Sequence, residues 1–339
     1  MRVFQECSRP AGQMYYTVAG RFLLVETPDQ RLATFIESLF ERWLLTQVSS
    51  PPQQPDVNLT FYSSEIVPAI PTGVEYFKVP GIGDCYVDGN SSYWELSNSL
   101  MVIHQGNTVD IGVWIKRCPD FVDAALTQAT SFALCAALRR CGVFELHGAG
   151  VVSPDARTGV LIVGPSGSGK STLTLQLMAS GWGYLSDDMV FLSKTGDDVE
   201  ARGFRRFFAV TENTALPNGV RLLRTTVSRA ASTQNAKRRF DPQSIFPSTH
   251  IQNVVPERLF FTTTDGEAQT RISELSPAET MKRLIAFCPW ATYDKAIAVE
   301  NLDVLSRLAR QTRSFDLFAG SDLLSPNYAS DLLDNYIGN

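Results

Sequence analysis

The run Leu161-Ile-Val-Gly164-Pro165-Ser166-Gly167-Ser168-Gly169-Lys170-Ser171-Thr172 constrains this chain more than any other segment. An apolar strand feeding G-x-x-x-x-G-K-[ST] predicts one local arrangement, a strand, a phosphate loop and a helix. Gly164, Gly167 and Gly169 let the backbone turn without side-chain clash, so that successive N–H groups point inward around the α- and β-phosphates of a nucleoside triphosphate. Lys170 to about Met178 reads as the helix, whose unpaired N–H groups and positive dipole end favour an anion. Residues Gly164 to Thr172 are then the nucleotide-binding loop, with Lys170 reaching the β- and γ-oxygens and the Ser171 hydroxyl placed to ligate magnesium. ATP and Mg²⁺ are the cofactors this implies. A dinucleotide fingerprint does not fit, because Lys170-Ser171 stands where its third glycine belongs and no acid follows at the usual distance.

Asp187-Asp188 supplies the second half of a site. The helix runs away from the loop, stops near Gly181, and the chain returns through a short strand at Tyr184 to Ser186. If that strand runs parallel to Gly159–Val163, it ends level with the loop, at the carboxyl edge where α/β sheets bind ligands. One carboxylate can complete a Mg²⁺ shell and the other can accept a proton from an attacking hydroxyl. Residue patterning alone does not divide these two roles. His147-Gly148-Ala149-Gly150 ends the strand Val143 to Leu146, and its glycines allow close backbone approach, so His147 is a further candidate beside the nucleotide. Lys237-Arg238-Arg239 lies in a long irregular stretch and offers three cations for the transferring phosphoryl group or an acidic acceptor. Arg205-Arg206, flanked by apolar residues, reads as an edge strand or a phosphate contact.

The chain has 339 residues, 44% of them hydrophobic and 19% charged, enough to bury a large core in two domains. A net charge of −5 gives no general attraction to nucleic acid or an anionic membrane, and neither is an expected partner. Cys7, Cys85, Cys118, Cys135, Cys141 and Cys288 are scattered, with no C-x-x-C pair, and read as reduced thiols. With three histidines, a His/Cys zinc site lacks a ligand set. The start lacks a signal-peptide apolar core and no stretch reaches membrane-spanning length, which makes the cytoplasm the expected compartment.

Residues 1–118 read as an N-terminal α+β lobe, suited to acceptor binding or assembly. It contains a hairpin (Tyr15 to Val18, Arg21 to Glu26), a helix from Pro28-Asp29 to about Leu45, a strand at Val57 to Tyr62, and a meander at Tyr93 to Leu96, Leu100 to His104 and Thr108 to Trp114. Residues 119–339 read as the nucleotide domain, opening with a helix over about Asp120 to Arg140. Its strands are expected at Val143 to Leu146, Gly159 to Val163, Tyr184 to Ser186, Val190 to Leu192, Arg258 to Thr263 and Ser314 to Phe318. Helices are expected at Pro277 to Cys288, Leu302 to Thr312 and Tyr328 to Ile337. The fold class is α/β within this domain and α+β for the whole chain.

The block Leu146-His-Gly-Ala-Gly-Val-Val, then Gly159-Val-Leu-Ile-Val-Gly-Pro-Ser-Gly-Ser-Gly-Lys-Ser171, then Gly181-Trp-Gly-Tyr-Leu-Ser-Asp-Asp188, resembles the catalytic domain of the HPr kinase/phosphorylase family. The resemblance is specific over roughly residues 143–192. It implies a carboxykinase-type P-loop domain in which Asp187 matches the catalytic acid/base, Asp188 and Ser171 match the metal ligands, and His147 matches a histidine close to the γ-phosphate. It points further to the divergent HPr-kinase-like proteins, some of which phosphorylate a serine of a precursor peptide. The reaction so implied is transfer of the γ-phosphoryl group of ATP to a hydroxyl, a serine on a protein or peptide partner, by an enzyme free to form homo-oligomers. A small-molecule or carboxykinase-like enzyme would keep the same nucleotide site, and a non-catalytic nucleotide switch would need the loop without a proton acceptor.

Overall fold

The structure, a computed structural model, describes residues 12–49, 54–64, 66–79, 82–97, 99–116, 123–210, 214, 217 and 238–337. It divides into two compact units, residues 1–143 and 144–339.

The first unit is built on one nine-stranded sheet. Its strands are β1 (Gly12–Val18), β2 (Arg21–Thr27), β3 (Thr46–Val48), β4 (Val57–Ser63), β5 (Glu75–Val79), β6 (Gly83–Asp88), β7 (Ser91–Leu96), β8 (Ser99–Gln105) and β9 (Val109–Ile115), in the order β3-β1-β2-β4-β9-β8-β7-β6-β5. Ala19 and Gly20, at φ 48° and 74°, make the tight turn that sets Val18 opposite Arg21. The helix α1 (Gln30–Arg42) starts where the Asp29 carboxylate accepts from the Arg31 and Leu32 amides and buries Leu32, Ile36, Leu39 and Phe40, the face its periodicity predicts. The β5–β9 meander extends the expected three strands by two. The central pairs β2–β4 and β4–β9 are parallel and have no local turn to announce them.

A second helix, α2 (Asp123–Arg140), packs against β4, β8 and β9. It therefore belongs to the first unit, and the division falls after Val143 instead of at the expected 118. Its Ala- and Leu-rich surface is apolar nearly all round, and so carries no sequence signal of which unit it covers.

The second unit holds a six-stranded mixed sheet in the order β13-β11-β12-β19-β21-β20, and a four-stranded sheet in the order β10-β14-β15-β18. Their strands are β10 (Val143–Leu146), β11 (Gly148–Val152), β12 (Gly159–Val163), β13 (Gly183–Ser186), β14 (Val190–Thr195), β15 (Asp198–Gly203), β18 (Asn253–Val254), β19 (Pro256–Thr264), β20 (Arg271–Leu275) and β21 (Arg313–Ala319). A short ribbon joins β16 (Phe208–Val210) to β17 (Arg238–Phe240). The helices are α3 (Lys170–Ala179), α4 (Pro277–Phe287), α5 (Trp290–Tyr293), α6 (Ala298–Gln311) and α7 (Pro326–Ile337).

Alternation along β12 shows how the six-stranded sheet is buried on both faces. Val160 and Ile162 pack with Leu173, Leu175 and Leu177 of α3 and with Leu333 of α7, whereas Leu161 and Val163 pack with Leu284 of α4, Leu305 of α6 and Leu192 of β14. A strand covered on both faces has to be apolar throughout, which is the pattern Gly-Val-Leu-Ile-Val presents. Ser276 opens α4 with a capping box, its hydroxyl accepting from the Glu279 amide while the Glu279 carboxylate accepts from the Ser276 amide. These hydrogen bonds hold Glu279 below the usual carboxylate range, so the cap contributes at neutral pH and fades as pH falls through the glutamate range. Ser276→Ala is expected to cost about 1 kcal/mol at neutral pH, read as a lower midpoint in chemical denaturation, with the difference shrinking in acid. Among the described residues, no helix is long and apolar enough to cross a membrane.

Candidate nucleotide and carboxylate site

Three neighbouring strands bring the sequence candidates to one edge of the six-stranded sheet. β11 pairs antiparallel with β12 on one side and with β13 on the other, so β12 and β13 run in the same direction and both end at the edge where β11 begins. The phosphate loop leaves the end of β12, Asp187-Asp188 follows the end of β13, and His147 precedes β11. The parallel relation expected between β12 and β13 is present, but with β11 inserted between them. That insertion is physical: Gly148 and Gly150 lie where an added Cβ would meet Ile162 O at 2.9 Å and Leu185 Cβ at 3.1 Å, so small residues let β11 pass between its neighbours.

The loop has the conformation its glycines predict. Gly167 and Gly169 have φ of 85° and 90°, and α3 starts immediately after Gly169. Pro165, Ser166 and Gly167 form the exposed rim, while Gly164, Ser168 and Lys170 are buried. Lys170 is only 6% exposed, and its ammonium donates to the carbonyls of Gly164 at 2.7 Å and Pro165 at 2.9 Å. The neighbouring strand β19 buttresses the loop through Thr262, whose hydroxyl lies 3.0 Å from that of Ser168. Ser171 and Thr172 occupy the first turn of α3, half-buried.

The two aspartates have different surroundings. Asp187 is 2% exposed, and its Oδ2 accepts from the Ala209 amide at 3.0 Å and from the Ser171 hydroxyl at 3.5 Å. Asp188 is half-buried and engaged through both oxygens: Oδ2 accepts from Arg205 Nη1, and Oδ1 lies 3.5 Å from His147 Nδ1. The Asp188 carbonyl also accepts from the Gly148 amide at 3.2 Å, which ties the carboxylate segment to the start of β11. Ser171 is thus brought to Asp187, and the Ser171–Asp188 pairing implied by the resemblance is not what the side chains form. Arg205, entering from beyond β15, takes Asp188 instead.

Hard oxygens side by side suit magnesium, whose bonds of about 2.1 Å set adjacent ligand oxygens about 3 Å apart. Ser171 Oγ and Asp187 Oδ2, at 3.5 Å, meet that requirement with a closure of a few tenths of an ångström. The residues present therefore fit a hydrated divalent cation at this corner.

The basic segment approaches the same place. In β17, Arg239 stands opposite Ala209, whose amide holds Asp187, and Arg239 is exposed. Arg238 lies opposite Val210; Lys237 lies outside the described residues. Arg206 is turned to Asp241, at 2.8 Å from Nη2. His250 and Tyr184 meet edge to face at 5.3 Å; burial raises the tyrosine pKa and lowers that of the imidazole, which favours the neutral form of each. His104, in the first unit, is 3.1 Å from the Ser91 hydroxyl.

Two contributors had no clear signal in sequence. Thr262 is one of three consecutive threonines ending β19, and nothing local distinguishes it. Arg205 belongs to an Arg-Arg pair that sequence reads as an edge strand or a phosphate contact; only the fold shows that it meets Asp188.

No protein-family profile and no curated protein matches the chain. Among solved structures, an HPr(Ser) kinase/phosphatase from Coxiella burnetii is similar over 57% of this chain and 90% of its own, with 12% identity and a TM-score of 0.31. So distant a likeness says nothing about activity, and the chemistry is read from this chain's own residues.

Proposed function

We propose that this chain is an ATP- and magnesium-dependent kinase that transfers the γ-phosphoryl group to a hydroxyl, a serine of a protein or peptide. The observation that carries the reading is the meeting, at one sheet edge, of a complete phosphate loop, a buried lysine, a hydroxyl in contact with a carboxylate, and a second carboxylate beside a histidine. A protein that only bound nucleotide would have no use for the second carboxylate, since the first already serves a cation.

In this reading the loop amides and the start of α3 hold the phosphates, and Lys170 exchanges its two carbonyl partners for phosphate oxygens. Magnesium, when bound, offsets phosphate charge. The acceptor oxygen forms its bond to the γ-phosphorus as the bond to the β–γ bridging oxygen breaks, ADP leaves with that electron pair, and the hydroxyl proton passes to a carboxylate of the Asp187–Asp188 pair. His147, Arg205 and Arg239 surround the developing charge with donors. A serine acceptor follows from the resemblance of residues 143–192 to HPr-kinase-like proteins, and the cytoplasm is the compartment such an enzyme implies.

The test uses the full chain, ATP labelled at the γ-position, and a panel of serine-containing peptides together with free serine and small acids. Label should appear on a peptide serine and vanish in the Asp187→Asn/Asp188→Asn double variant. Transfer confined to the small molecules, or indifferent to the aspartates, would overturn the assignment.

A further inference from the structure

The strand beneath the phosphate loop does more than fill the core. Along β19, Phe260 packs with Leu173 and Leu175 of α3, and the period of two puts Thr262 and Thr264 on the same face. Thr262 is 1% exposed, and its hydroxyl lies 3.0 Å from Ser168 Oγ and 3.4 Å from the Val163 carbonyl oxygen. An added Cβ at Gly164 would come within 2.5 Å of the Thr262 carbonyl oxygen, and one at Gly169 would meet Thr264 Cγ2 at 3.6 Å. The strand therefore lies against the loop at Gly164, Ser168 and Gly169.

Sequence sets Ser166 and Ser168 alike in the nucleotide-binding loop, but their settings differ. Ser166 stands on the exposed rim, whereas Ser168 is only 3% exposed. An added Cβ at Gly164 would also come within 2.5 Å of Ser168 Oγ, so that oxygen is on the inner side of the turn. A hydroxyl has one proton. With the Thr262 proton directed to the Val163 carbonyl, Ser168 is left to donate to Thr262. The chain of hydrogen bonds runs from the loop into the sheet, and it uses the Ser168 donor that a phosphate oxygen would need.

The benefit is freedom removed in advance. Ser168 sits between Gly167 and Gly169, both in left-handed backbone at φ 85° and 90°, and glycine loses more conformational entropy on ordering than any other residue. A side-chain bond between the two fixes the turn when the chain folds, and ordering completed then no longer opposes binding.

Resting on the nucleotide-binding part of the kinase reading, we infer that Ser168 and Thr262 are positioning residues whose hydroxyls form a brace. The brace holds the loop in its phosphate-binding shape ahead of nucleotide, and Ser168 gives its hydroxyl to the sheet instead of to phosphate. Such a brace serves ground state and transition state alike, so its loss raises KM for ATP and leaves kcat near its normal value.

The test joins equilibrium binding of a fluorescent ATP analogue by the full chain to hydrogen exchange of the loop without nucleotide. The reporter is the Ser168 amide, which donates to the Pro165 carbonyl at 3.2 Å. Thr262→Val keeps the shape of the side chain and removes the hydroxyl; it should weaken binding by about tenfold, with KM rising in step and kcat within about twofold. Thr262→Ser, which restores the hydroxyl, should bind within about twofold of the unmodified chain. Ser168→Ala should match Thr262→Val, and the double variant should be no weaker than either, because all three remove one interaction. The reporter amide should exchange about tenfold faster in both single variants, a change that a side chain touching only phosphate would not produce. Where Thr262→Val lowers the folded yield, Ser168→Ala decides through the exchange measurement. Additive losses in the double variant, or exchange unchanged by Ser168→Ala, would overturn the brace and leave the kinase reading standing. An unmodified chain that binds no ATP analogue would overturn that reading instead, with the exchange rates still deciding whether the two hydroxyls hold the loop.

Discussion

Replacing Lys170 by methionine is expected to lower kcat/KM for phosphoryl transfer by about 10³-fold, a loss of roughly 4 kcal/mol of transition-state stabilisation, in a chain that remains folded. The side chain is buried and its ammonium is held by two loop carbonyls at the mouth of the site, the only lysine of the phosphate loop. Methionine matches its length and lacks only the charge and donors, so packing around α3 is kept. The freed carbonyls of Gly164 and Pro165 border the exposed rim, where water can replace the ammonium. Loss concentrated in kcat, with a smaller change in nucleotide affinity, is the signature of a group that acts on charge developing in the transition state. Steady-state kinetics beside equilibrium binding of a fluorescent ATP analogue would separate the two, and an unchanged kcat/KM would remove the loop from the reaction.

Gly164→Ala should act through shape. The added methyl would lie 2.5 Å from both the Thr262 carbonyl oxygen and Ser168 Oγ, and 2.7 Å from Thr262 Oγ1. One of these is backbone of a central strand, so the strain cannot be relieved by a rotamer change; β12 and β19 have to part where the loop begins. Overpacking of this kind costs about 1–3 kcal/mol. For a unit of this size that is a fall in Tm of roughly 2–12 °C, with nucleotide binding lost by more than about 100-fold because the loop amides no longer converge. Scanning calorimetry and isothermal titration would record the two effects, and Gly167→Ala, at a position with open space around its Cβ but φ 85°, serves as the milder comparison.

The parts of the fold that could be read ahead are those whose signals are local. β12 runs over Gly159–Val163 as its apolar run predicts, α3 begins at Lys170, β21 is longer than expected by one residue at each end, and α7 begins two residues early and ends at Ile337 as expected. What sequence concealed depends on partners distant along the chain. β11 is made of Gly-Ala-Gly-Val-Val, weak strand formers held extended by neighbours on both sides. The short strands β16 and β17 pair across 27 intervening residues, from 211 to 237, a separation too long for a local hairpin signal. For the site, the phosphate loop and the two aspartates were visible because each motif is contiguous. The different settings of Asp187 and Asp188 were not, because the Ala209 amide and the Arg205 guanidinium that create them are delivered from beyond the β14–β15 hairpin.

The strand inserted between the loop and the aspartates also acts as a ruler. Neighbouring strands are spaced by their peptide hydrogen bonds at about 4.8 Å, so the ends of β12 and β13 stand roughly 10 Å apart, a gauge that holds as long as Gly148 and Gly150 of β11 stay small. Variants of this site can therefore change which molecule is welcomed or how fast it reacts, but the reach across which one group is handed to another is written in main chain.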